Sequence, residues 1–224
     1  MNSISARSMT GAVLTAILFL APLAARAAEP PTVKELAPLV RAEALKRQPR
    51  LDEKTEFRIR PFEVKGLWEE MGIVAFDVQY LSNGSPFNGY VGYFHDGKID
   101  HLAANFGGHG LMSGLVHDKR FVFTFSWGSG MHRSQVRAAV IKDGRLAIID
   151  SGGFVDQDLF VKTGPDGKIE VFSGQFTSFN QWTKERSLGV LEIPPSQAPR
   201  IVGSSGAVLK PTFPPRAQEP AKGR

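Results

Sequence analysis

The 224-residue chain is predicted to be all-β with one N-terminal helix. Its strands are expected to run as an up-and-down antiparallel meander of about ten, closed into a barrel. Three observations lead there. From Thr55 onward apolar and polar residues alternate with period two, as in the stretch IVAFDVQY, where Val74, Phe76, Val78 and Tyr80 share one face. Turn signals recur at Asp96, Asp118, Asp143 and Asp166, spaced 22, 25 and 23 residues apart. Only one segment carries a good helix pattern. A meander of this length left open would expose two strand edges, and closure removes them. A β-sandwich or a propeller-like sheet is the runner-up; a propeller blade takes about 40 residues and at least four are needed, which is long for this chain.

The elements follow in order. Residues 1–27 read as a cleaved signal peptide: Arg7 supplies a basic start, Gly11 to Ala21 an apolar run, and Ala25-Arg26-Ala27 a small-x-small cleavage site. The apolar run is shorter than the roughly 20 residues a spanning helix requires. A periplasmic or secreted protein with no stable membrane anchor after cleavage is therefore expected. Residues 28–50 form a helical segment. Thr32 and Glu35 have capping-box spacing, and Leu36, Leu39, Val40 and Leu45 make an approximate apolar stripe. Pro38 removes an interior donor, so the helix starts either at Thr32 or only at Ala37. Residues 51–193 hold the β-meander. Residues 194–224, rich in Pro and Gly with five basic side chains and one acidic, are expected to be a disordered basic tail.

The formal net charge of +5 resides at the two ends. Between Ala28 and Ile193 there are 20 basic and 21 acidic side chains, so the folded part carries no nucleic-acid footprint. The chain has no cysteine, which excludes disulfides, thiolate metal sites and a cysteine-linked lipid anchor.

Tight Asp-Gly turns set cross-strand register. Counting back from Asp96-Gly97 places Gly92 opposite His101, and gives one apolar face of Tyr90, Phe94, Ile99, His101 and Ala103 against a wet face of Tyr93, His95, Lys98 and Asp100. The other hairpins place Val116, Phe121, Phe123, Phe125, Ile141, Leu146, Ile148, Phe160, Ile169 and Val171 inside. On this register Phe123→Asp unfolds the domain and Thr124→Asp is tolerated. Counting from Asp143-Gly144 sets Arg137 opposite Asp150, both pointing inward. The interior thus becomes polar toward the end that carries the long connections.

Those connections bring further candidates. The glycine-rich stretch ANFGGHGLMSG carries His109, and SWGSGMHRS carries Trp127, His132 and Arg133. Apolar walls with a few convergent polar groups make a default ligand site. The candidate ligand-binding residues are His101, Arg137, Asp150, Tyr90, His109, Trp127, His132 and Arg133. The expected function is an exported, non-catalytic binding protein for a small molecule, apolar with one polar or anionic group. No HExxH, G-x-S-x-G or Walker motif is present. Two alternatives remain at this stage. One is a metal- or carboxylate-dependent hydrolase acting on a saccharide or ester, using His101, His109 and His132 or Asp150, Asp156 and Asp158. The other is an envelope interaction protein without a pocket.

Overall fold

The computed structural model describes residues 29–47, 51–52, 54–82, 85–104, 109–128, 133–195 and 197–215. The expected signal peptide lies outside them. Helix α1 (Val33–Arg47) starts where the capping box places it: the Glu35 carboxylate accepts from the backbone N–H and the hydroxyl of Thr32, both at 2.8 Å. Pro38 sits inside the helix without ending it. What holds the helix is packing, because Leu36, Val40 and Ala44 are fully buried.

The strands are β1 (Phe57–Pro61), β2 (Ile73–Ser82), β3 (Ser85–His95), β4 (Lys98–Ala104), β5 (Gly110–His117), β6 (Arg120–Trp127), β7 (Arg133–Lys142), β8 (Arg145–Asp150), β9 (Phe154–Val155), β10 (Asp158–Thr163), β11 (Ile169–Ser178), β12 (Gln181–Glu192) and β13 (Arg200–Val202). A single-turn helix, α2 (Leu67–Met71), precedes β2. The fold is all-β with an N-terminal helix, as expected, but the barrel does not close. The strands divide into three antiparallel meanders, β1–β4, β5–β8 with the short β9 beside β7, and β10–β13.

These sheets stack. Helix α1 covers one face of the first sheet, where Leu36, Val40 and Ala44 meet Val74, Phe76, Val78, Tyr90, Phe94 and Leu102. The other face, with Ala75, Val91 and Tyr93, packs on Phe121, Phe123 and Phe125 of the second. The reverse of the second sheet, with Val122 and Val136, packs on Leu159, Val161, Ile169 and Val171 of the third. Closure fails for a physical reason: central strands such as β2 and β6 are buried on both faces, whereas a small barrel buries one. Thr124, expected to face solvent, is fully buried and its hydroxyl lies 2.9 Å from that of Ser113.

Turn chemistry explains where register holds and where it slips. The pairs Asp96-Gly97, Asp118-Lys119 and Asp143-Gly144 all have positive φ at both positions, the geometry of a two-residue hairpin, and Lys119 adopts it at φ 55° despite its side chain. At Asp166 only Gly167 has positive φ, and a longer loop joins Thr163 to Ile169. That change pairs Phe160 with Phe172 and moves Phe160 to the face opposite Ile169 and Val171. In the first sheet a bulge at Asp100 sets His101 opposite Tyr93 rather than Gly92. Tyr93, assigned to a wet face, is fully buried.

Two strand edges are covered by side chains. The Asn180 turn between β11 and β12 docks on β5: its backbone N–H donates to Met112 O at 2.9 Å, Oδ1 accepts from Gly114 N–H at 2.9 Å, and Nδ2 donates to Gly114 O at 3.3 Å. The bulged Asp100 accepts from the Leu146 N–H of β8 at 2.6 Å.

Where the sequence leads one to expect disorder, residues 197–215 carry the strand β13 and two isolated bridges. Ile201 of β13 is 1% exposed against Val161, Ile169 and Leu191, so one short strand, Arg200-Ile201-Val202, anchors the segment in a Pro-rich context. The chain then returns to pair Phe213 with Gly153.

Candidate functional site

Strand alternation on β7 puts Arg133, Gln135 and Arg137 on one face, and register sets them opposite Trp127, Phe125 and Phe123 of β6. On the other side of β7, Arg137 pairs with Asp150, as counted from the Asp143-Gly144 turn. These residues stand where the apolar core between the first two sheets ends. Toward the tight turns the same faces carry Ala139, Ile148 and Leu146. Toward the long connections they line a cavity of about 410 Å³, bounded by Phe125, Trp127, Arg133, Gln135, Arg137 and Asp150 of the second sheet. Ala103 of the first sheet, Gly153, and the C-terminal Phe213, Pro214 and Pro215 complete it.

Both guanidiniums stack on aromatic rings. That of Arg137 lies 4.4 Å from the Phe125 centroid, and that of Arg133 lies 4.2 Å from the Phe213 centroid. Phe125 in turn stacks on Trp127 with centroids 6.0 Å apart. Such stacking engages the flat faces of the two guanidiniums. Asp150 is buried, and its Oδ1 accepts from the Gly152 N–H at 3.1 Å. Among the described lining residues the charged side chains are Arg133, Arg137 and Asp150. The field reaches beyond the cavity: burial pushes the Tyr93 phenol far above its ordinary value, and the Arg137 charge offsets part of that rise.

Four of the eight residues singled out in the sequence come together here: Trp127, Arg133, Arg137 and Asp150. Tyr90 does not. It lies on the opposite face of the first sheet, 5% exposed under α1, because the face carrying Tyr90, Phe94 and Ile99 is the one the helix covers. His109 is also elsewhere: it is exposed, its backbone N–H donates to Ser126 Oγ, and its ring stacks on Phe176 at 4.5 Å, on the third-sheet side. The His101 side chain and all of His132 lie outside the described residues. Of the histidines read as solvated strand ends, His117 sits 3.4 Å from Asp118, whereas His95 is half-buried and its Nδ1 is enclosed without a hydrogen-bond partner.

Sequence reasoning missed Gln135 and the C-terminal wall. Gln135 had a signal, since a polar residue between Arg133 and Arg137 at period two shares their face. Phe213 had a weaker one, an aromatic set among prolines. The carboxylates proposed for hydrolysis are divided. Asp150 lines the cavity, while Asp156 and Asp158 line a separate open trough of about 390 Å³ with Lys184 and Arg186. Among the described residues no group of three or more His, Asp or Glu side chains is arranged to hold a metal ion. No described helix is long and apolar enough to cross a membrane.

No family model, curated protein or solved structure matches the chain.

Proposed function

We propose that the chain is an exported, non-catalytic binding protein that holds a small ligand in the cavity between its first two sheets. The ligand combines a flat apolar part, packed near Trp127 and Phe125, with an anionic group directed at Arg137. One observation supports this reading above others: Arg133, Gln135, Arg137 and Asp150 converge on a cavity whose described walls are otherwise aromatic, proline, glycine or alanine. Its volume of about 410 Å³ falls in the range of small-molecule sites. A polar group buried only to satisfy its neighbours needs no such space.

The test uses 1-anilinonaphthalene-8-sulfonate, which carries a planar ring system and one sulfonate. The wild-type chain should enhance its fluorescence with one saturable site. Arg137→Ala should weaken that site about ten- to a hundredfold, as expected on losing a charged hydrogen-bond donor. The alternative outcome is affinity unchanged, with Arg137→Ala and Asp150→Asn lowering the Tm equally. The pair would then be structural, and the binding reading would fall.

A further inference from the structure

One wall of the cavity differs in kind from the others. Residues 208–215 form a strap whose last three residues, Phe213, Pro214 and Pro215, wall the cavity, and none of its side chains is fully buried. Its base is tied by the Leu209 N–H donating to Ile201 O at 2.9 Å. Its far end is tied by reciprocal Gly153–Phe213 backbone bonds of 2.9 and 3.0 Å and by the Phe213 ring lying under the Arg133 guanidinium. Segments with so few buried contacts open at free energies far below that of global unfolding. Pro211, Pro214 and Pro215 stiffen the strap, so it moves as a unit rather than fraying residue by residue.

The two arginines of β7 are placed differently with respect to it. Arg137 rests on Phe125, a ring 2% exposed within the body of the second sheet. Arg133 rests on Phe213, 37% exposed and part of the strap. The 150–153 turn links strap and cavity floor. The Gly152 N–H holds Asp150, and a Cβ on Gly152 would stand 2.9 Å from the Pro211 ring, so the strap closes only over glycine there.

We infer that the strap is the gate of the cavity, with Arg133 as its latch and Arg137 as the fixed anchor for the ligand. This rests on the binding reading above. A latch that breaks and re-forms on each passage sets the rates of entry and exit together, whereas an anchor sets affinity through exit alone. Phe213 and Arg133 are thus positioning residues for access.

Two measurements on the full chain test the gate. The first needs no ligand: in hydrogen exchange, the Gly153 and Phe213 amides should exchange together, and about fivefold faster in Arg133→Gln, the loss expected for an exposed cation–π contact. The Val122 amide of β6 should not change. Wild-type exchange at both amides in Arg133→Gln overturns the latch. The second is stopped-flow binding of 1-anilinonaphthalene-8-sulfonate to Pro211→Gly, which loosens the strap at a residue outside the described cavity lining. Association and dissociation rates should rise by the same factor, leaving Kd within about twofold. Unchanged rates overturn the gate. If the wild-type chain does not bind the probe, the binding reading fails and the gate with it, while the exchange experiment still decides whether Arg133 holds the strap.

Discussion

Asp77 shows how a single side chain changes meaning once the sheets stack. In IVAFDVQY it alternates with apolar residues, and the pattern alone assigns it to solvent. It is in fact 7% exposed, with Oδ2 accepting from Arg60 Nη2 at 2.8 Å and Oδ1 enclosed without a hydrogen-bond partner. Burial raises its carboxyl above the ordinary value, and the hydrogen bond and charge of the largely exposed Arg60 offset only part of that. The folded chain therefore holds this proton to higher pH than the unfolded chain does. Stability contributed by the protonated form is present below about pH 4 and is lost as pH rises through the raised folded value. Urea denaturation across this range should show wild-type stability declining relative to Asp77→Asn. Parallel profiles for the two proteins would refute the assignment.

At the scale of elements, local chemistry was legible where it was strictly local. The capping box located α1, and three Asp-led turns located three hairpins with the register beside each turn, and from Asp143-Gly144 as far as the Arg137–Asp150 pair. What the pattern could not carry was one extra residue, because a bulge leaves no mark on period-two alternation until the face flips. That is why His101 moved opposite Tyr93, while Phe160 changed sides because the Asp166 loop is longer than a two-residue turn. Contacts between distant segments were equally silent. Asn180, in a turn at φ 57°, bonds three backbone groups of β5 from 66 residues away. Asn180→Gly keeps that backbone conformation and removes only the two side-chain bonds. It should cost about 1–2 kcal/mol in chemical denaturation. A neutral result would show that the edge of β5 is satisfied by other means.

For the whole molecule, the decisive feature is that the second sheet has no wet face. The barrel expectation rested on one buried face per strand; the stack buries Phe123 on one side and Thr124 on the other. Thr124→Asp should therefore unfold the domain, as Phe123→Asp should, because an unpaired carboxylate between two sheets carries several kcal/mol of desolvation cost. Far-UV dichroism of the two variants checks this, and a folded Thr124→Asp protein would restore the single-face picture. The candidate site was half legible for the same reason. Arg137 and Asp150 followed from hairpin register and Trp127 and Arg133 from the connection that carries them, while the first-sheet and C-terminal walls depend on how sheets meet. The meander order also has a kinetic side. Each sheet is drawn from one unbroken stretch of chain, so its pairings close short loops and carry low contact order for a β-protein. Assembly can then proceed from the N-terminus one sheet at a time, each new meander folding onto the face its predecessor has already laid down, and the 208–215 segment, which must find Gly153 across sixty residues, is the last to settle.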